Sequence, residues 1–232
     1  MKKLQKRICY LICVYNDQQG LEESLTSIFQ DAPLADILII DDGSHSPVTL
    51  PLAPKEFTVN LHRIEPNSGL IAALNQGLTL ILEQNYEFIT RLDAGDTVNR
   101  GRLKAQLNYM DNHSTIGLLG TQLRAFDQNS GETLFHFNNP INPSRTSKIL
   151  KLRNCIAHPS VMMRCSVVKK SGFYSDKYKY AEDYEMWRRI EKFSGVANLP
   201  DVFVNKEISP NQITAMNRHG SCLLYTSPSP RD

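Results

Sequence analysis

The chain has 232 residues, 41% of them hydrophobic and 22% charged, with a formal net charge of +2. That is enough for one sizeable core, shows no disordered or fibrous signature, and gives no reason to expect a nucleic-acid partner. Five cysteines without metal-like pairing favour buried thiols in a reducing, cytoplasmic setting, and no apolar run approaches the roughly 20 residues of a membrane span, which leaves peripheral docking on a membrane open.

The basic start (Lys2, Lys3, Lys6, Arg7) reads as a solvated lead-in to a strand. Ile8–Val14 is a near-continuous apolar run, the pattern of a buried parallel strand, and it stops at Tyr15, Asn16 and Asp17. Leu21, Leu25, Ile28 and Phe29 then recur at helical spacing. A second buried strand at 37–40 ends in Asp41, Asp42, Gly43 and Ser44. Pro47, Pro51 and Pro54 mark a loop, and residues 57–64 alternate as a third strand. After Pro66, Asn67, Ser68 and Gly69 comes a helix with the stripe Leu70, Ala73, Leu74, Leu78, Ile81 and Leu82. A fourth strand bearing Phe88, Ile89 and Leu92 leads into Asp93-Ala94-Gly95-Asp96. Strands alternating with helices predict an α/β fold, one domain with a mainly parallel central sheet flanked by helices.

Further on, Leu103, Leu107 and Met110 continue a helix, 116–123 reads as a strand, and 126–137 as a hairpin-like excursion with Asn129, Ser130 and Gly131 at its tip. Ile149, Leu150 and Leu152 give a short helical pattern. His158-Pro159-Ser160 precedes an apolar strand at 161–163, where a histidine reads first as a hydrogen-bonded structural residue. Glu182 and Asp183 open a helix carrying Tyr184, Met186, Trp187 and Ile190, whose aromatics read as core packing. Residues 202–205 form a last strand-like run. The domain is set at 1–217. Residues 218–232, with two prolines and no period, read as translated adapter or vector sequence, with the native protein continuing further.

In such sheets ligands sit beyond the carboxyl ends of the strands, so the polar clusters after the first, second and fourth strands converge on one crevice. Asp93 and Asp96, two carboxylates in a tight turn, suit Mg²⁺ or Mn²⁺ held against a diphosphate. The plainer reading, in which Asp96 caps the turn and Asp93 ends a strand, stays open beside it.

Five segments then fall into one order: Val14-Tyr15-Asn16, Ile39-Ile40-Asp41-Asp42-Gly43-Ser44, Asn67-x-Gly69-Leu70-x-x-Ala73-x-Asn75-x-Gly77, Arg91-x-Asp93-Ala94-Gly95-Asp96, and Ala181-Glu182-Asp183-Tyr184-Glu185-x-Trp187. With them the chain resembles an inverting nucleotide-sugar glycosyltransferase of family 2, with the GT-A fold, over residues 7 to 217. The resemblance implies a nucleotide-sugar donor, UDP-linked, bound along Val14, Tyr15, Asn16, Ala73 and Arg91. It implies that Asp41 or Asp42 accepts from a uracil ring, that Asn67 and Gly69 lie against the nucleoside, and that Asp93 and Asp96 face ribose, Mg²⁺ or Mn²⁺, and diphosphate. Asp183 is implied as the general base, because transfer with inversion needs a carboxylate to take the proton of the attacking hydroxyl. The implied acceptor is a glycan or lipid-linked saccharide in surface polysaccharide synthesis.

One position departs from the pattern. Many relatives carry Asp-x-Asp, and here Gly95 fills the third place. Asp96 takes that role if glycine's freedom at positive φ lets the turn swing it inward; otherwise metal binding is weaker, or the diphosphate leans on basic residues such as Arg91 or Arg164. Gly95 also keeps a rival open, a non-catalytic nucleotide-sugar-binding module or inactive fragment.

Overall fold

Strand β1 (Ile8–Val14) is the spine of the sheet: Ile8, Tyr10, Ile12 and Val14 enter one apolar layer, and Cys9 and Leu11 enter the other. Both faces are covered, which is why its sequence shows no polar alternation. β1 pairs in parallel with β2 (Ala35–Asp41) and β4 (Phe88–Arg91), and β3 (Val59–Arg63) lies outside β2. A computed structural model describes residues 7–208, apart from positions 33 and 128, and the features below refer to these.

Beyond β4 the sheet turns mixed. Its order is β3-β2-β1-β4-β8-β6-β9-β5, with β5 (Thr97–Val98), β6 (Ile116–Asp127), β8 (Met162–Arg164) and β9 (Gly195–Ile208), and β7 (Thr133–Phe137) pairs with β6. The long β6–β9 ladder is parallel, whereas β8 runs antiparallel to both β4 and β6. Helices α1 (Gln18–Phe29) and α3 (Arg102–Asn112) cover one face through Leu21, Leu25, Ile28, Leu103 and Met110. On the other face lie α2 (Leu70–Leu82), α4 (Pro143–Leu150), α5 (Cys165–Ser171) and α6 (Glu182–Glu191). There α2 comes so close to β1 that a Cβ on Gly77 would stand 2.2 Å from Leu11 Cδ1.

Three stretches differ from the sequence expectation. The third strand shrinks to β3, an edge strand with its middle residues exposed. The last strand starts seven residues before 202, at Gly195; Pro200 and Asp201 hide its continuity, and the register against β6 shifts beside them. Helix α5 was not anticipated, because its apolar residues, Cys165, Val167 and Val168, are too few to show a period before Lys169 and Lys170. The hairpin is present, with Asp127 Oδ1 accepting from the Asn129 and Ser130 amides at its tip. Cys9, Cys13, Cys155 and Cys165 are free thiols, and no described helix is long and apolar enough to cross a membrane. The lead-in lysines, Asn211 to Thr214, Cys222 and the 218–232 tail lie outside the described residues.

Candidate active site

The register places the strand ends side by side: Val14 stands opposite Asp41, and Leu11 opposite Arg91. The two adjacent aspartates after β2 part company here. Asp41 is buried, accepting from the Ser44 and Val48 amides and from Arg63, so it braces its own loop. Those donors hold its carboxyl below the usual range against the push of burial. Asp42 instead lines a pocket of about 240 Å³ with Cys13, Val14, Tyr15, Asn67, Gly69, Leu70 and Ala73. Its Oδ1 accepts from the Ser68 amide at 2.9 Å, and its Oδ2 from the Gly69 amide and Asn67 Nδ2, each at 2.8 Å. One lone pair of Oδ1 is left for a further donor.

Tyr15 is half-exposed at the pocket mouth with its ring edge toward His45. Asn16 adopts φ +55°, a left-handed conformation asparagine tolerates, and its Oδ1 accepts from the His45 amide at 2.8 Å. Asn16 thus ties the β1 and β2 loops together, and its carbonyl oxygen is spent on that bond.

At the centre, Arg91 is fully buried and pairs with Asp93, while its Nε lies 3.3 Å from His158 Nε2. Burial pushes Asp93 up, but the Arg91 guanidinium outweighs it and holds the carboxyl at about 2. His158 is pushed down to about 3 by burial and by Arg91, so it stays neutral, with Nε2 2.9 Å from Tyr174 Oη. Arg164 does not reach the site. It donates to the Ile116 and Met110 carbonyls on the far side of β8, which removes it as a diphosphate partner.

The Asp93–Asp96 turn is pinned from helix α1. Ser24 Oγ donates to the Asp96 carbonyl at 2.7 Å and accepts from the Gly95 amide at 3.1 Å; that amide also meets the Gly20 carbonyl at 3.0 Å. Gly95 has φ +87°, where a side chain is strained. Asp96 is buried, its Oδ1 3.7 Å from Lys206 Nζ and its Oδ2 without a partner, and burial pushes it up to about 7. A divalent ion does not fit these residues: Lys206 already stands at Asp96, Arg91 at Asp93, and no three His, Cys, Asp or Glu side chains converge among the described residues.

Asp183 approaches from α6. Its Oδ2 accepts from Asn154 Nδ2 at 2.8 Å and its Oδ1 from the Tyr184 amide at 2.6 Å. Burial raises it to about 6 despite those bonds, and the charges of Glu182 and Asp93 push the same way. Trp187 is fully buried, donating to the Ile156 carbonyl, and Tyr184 is nearly so, so both pack rather than face solvent. A second pocket of about 630 Å³ adjoins the first at Gly69 and Leu70 and reaches Tyr174, Lys179, Tyr180 and Glu182. Asn75 clamps its wall: Nδ2 donates to the Tyr174 carbonyl and Oδ1 accepts from the Tyr174 amide, both at 2.9 Å.

The model of "Glycosyl transferase family 2" matches residues 9–172, spanning every strand end just described. The chain belongs to this family. Its sequence is 30% identical over 201 residues to the amylovoran biosynthesis glycosyltransferase AmsE of Erwinia amylovora, covering 84% of this chain and 73% of that one. It is 28% identical to the Escherichia coli UDP-Gal:alpha-D-GlcNAc-diphosphoundecaprenol beta-1,3-galactosyltransferase, over 86% of this chain and 72% of that one. Among solved structures, the fragment 1-349 of S. aureus TarS in complex with UDP-GlcNAc superposes with a TM-score of 0.67 at 16% identity, over 88% of this chain and 59% of that one. The mannosyltransferase PcManGT of Pyrobaculum calidifontis, in complex with GDP-Man and Mn²⁺, gives 0.61 at 14% identity, over 88% and 57%. The likeness to both structures establishes the GT-A fold for this family member.

Sequence reasoning missed Ser24, Asn154, Tyr174 and Lys206, which belong to no shared motif and act through position. The only signal for Ser24 was its place on the buried stripe of α1.

Proposed function

We propose that the chain transfers a hexosyl or N-acetylhexosaminyl group from a UDP-sugar to a glycan or lipid-linked acceptor in surface polysaccharide synthesis, with inversion. The acceptor class follows the names of the two curated relatives, and the donor class follows the ligand of the TarS complex. The observation that carries the reading is a half-buried carboxylate, Asp183, near enough to feel the charge of Asp93, in a site that also holds a pocket lined by Asp42 and an adjoining one lined by the neighbouring Glu182.

The nucleoside lies in the pocket with a ring N–H on the free lone pair of Asp42, and Asn67 and Gly69 close over it. Asp93, kept ionised by Arg91, faces the ribose and leaves the anomeric carbon directed toward the second pocket. There the acceptor hydroxyl approaches from the face opposite the diphosphate. Its oxygen forms the new bond to the anomeric carbon as the bond to the phosphate oxygen breaks; the electron pair leaves with the diphosphate, and Asp183 takes the hydroxyl proton. A carboxylate near 6 is a good base at neutral pH, being ionised yet more basic than an ordinary aspartate.

A thermal-shift screen of nucleotide sugars, followed by turnover of the best ligand, tests this. A UDP-sugar that raises the melting temperature and is consumed with acceptor supports it. Binding without turnover under any acceptor supplied favours the non-catalytic module, and absence of any nucleotide-sugar binding overturns the reading.

A further inference from the structure

Resting on that reading, we propose that the Lys206 ammonium, paired with Asp96, takes the part of a divalent cation beside the donor, so that this chain binds and releases the donor diphosphate without a metal. The family pattern puts a carboxylate at the third place of the turn, and here that place is Gly95. The space beside it is open: a Cβ there would meet only Asp17 Oδ2, at 3.7 Å. A side chain at this place would stand in that open space beside Asp17, whereas Asp96, one residue later, is turned into the protein with its carbonyl held by Ser24. The two acidic groups of the turn therefore do not form a pair of ligands to one ion.

The charge that fills the gap comes from β9. Lys206 extends from the far strand so that Nζ lies 3.7 Å from Asp96 Oδ1, with the side chain still 39% exposed. Its charge acts on Asp93, Asp96, Arg91 and His158 alike, which places the ammonium at the centre of the site rather than at its margin. Burial works against the ammonium, and Asp96 and Asp93 together keep it protonated. The other cations nearby are committed. Arg91 is fully buried behind Asp93; Arg63 is held by Asp41, Glu65 and the Ser44 carbonyl; and Lys179 lies over the Tyr180 ring at the second pocket. His158 is neutral. Lys206 is then the partly exposed cation near Asp93 and Asp96, and a divalent ion brought beside it would be repelled.

In the transfer, the bond from the anomeric carbon to the phosphate oxygen breaks and its electron pair passes to the UDP. Lys206 answers the charge that appears there with ammonium N–H donors, as charge-assisted hydrogen bonds. No oxidant or further reactant is needed, and the proton of the acceptor goes to Asp183 as before.

Calorimetry of UDP with the full chain tests this, once in excess chelator and once in millimolar Mn²⁺. The expected dissociation constants agree within about threefold, whereas a tightening of about tenfold or more by Mn²⁺ overturns the proposal. Lys206→Gln is expected to weaken UDP binding about 10- to 100-fold and Lys206→Arg to recover most of it. Uridine, which lacks the diphosphate, is expected to bind wild type and Lys206→Gln equally in ligand-detected NMR. Equal loss of uridine and UDP, or UDP binding unchanged in Lys206→Gln, also overturns it. UDP binding only with Mn²⁺ defeats this proposal and leaves the glycosyltransferase reading standing; no UDP binding under either condition defeats both.

Discussion

Asn154 Nδ2 donates to Asp183 Oδ2 at 2.8 Å, across 29 residues of chain, and so fixes one oxygen of the carboxylate while leaving the group ionisable near neutrality. Asp183→Asn is expected to bind UDP as wild type does and to lose transfer by about 10²- to 10⁴-fold. Full activity of that variant rules out the base assignment. Because the folded protein holds this proton up to about 6 while an unfolded aspartate releases it near 4, the group costs stability as pH rises through that window. Asp183→Asn is therefore expected to melt no lower than wild type at pH 8, which separates lost chemistry from lost folding.

The same group sets a pH profile. Asp183 must be ionised to accept a proton, so kcat/KM should fall on the acid side of about 6, with a slope of one. The Asn154 bond stabilises the ionised form, so Asn154→Ala should move that limb toward higher pH. A limb that stays in place after the substitution speaks against Asp183 as the titrating base.

Asp41 and Asp42 are adjacent in sequence but unlike in placement, and their substitutions should separate affinity from stability. Asp42→Ala removes the acceptor of the Ser68 and Gly69 amides and of Asn67, so UDP affinity should drop about tenfold or more, measured by calorimetry. Asp41→Ala leaves the Ser44 and Val48 amides without their acceptor inside the protein and takes from Arg63 one of its three partners, and should lower stability by about 1–3 kcal/mol in urea unfolding. The reverse pattern would overturn the division of roles.

Gly77 tests the packing beneath the pocket proposed for the donor. A methyl there would lie 2.2 Å from Leu11 Cδ1, so Gly77→Ala should destabilise by about 1–3 kcal/mol despite alanine's better helix propensity. A stabilised variant would show that α2 sits further from β1.

The first half of the fold was legible because its strands are buried on both faces and its helices carry one clean stripe; β1, β2, α2 and the Asp93 turn lie where the apolar runs put them. The second half was harder for stated reasons. Polar residues interrupt β9, and α5 is too short and basic to show a period. In the candidate site, the strand ends brought Asp42 and Asp93 into view and the family resemblance brought Asp183, but not the choice between Asp41 and Asp42, since that depends on which carboxylate the loop amides claim. Lys206 was invisible because its importance lies in which strand β9 runs beside, a matter of topology rather than pattern.

The paired hydrogen bonds between Asn75 and Tyr174 join segments 99 residues apart, one from each half of the chain. They act as a staple, so the partition between the two pockets moves with α2 and not with the loop that follows. Everything from Asp176 to Tyr180 lies downstream of that staple and can diversify without disturbing the pocket lined by Asp42. If the proposed roles of the two pockets hold, a lineage of such enzymes is thereby free to exchange one acceptor for another while its donor grip is inherited intact.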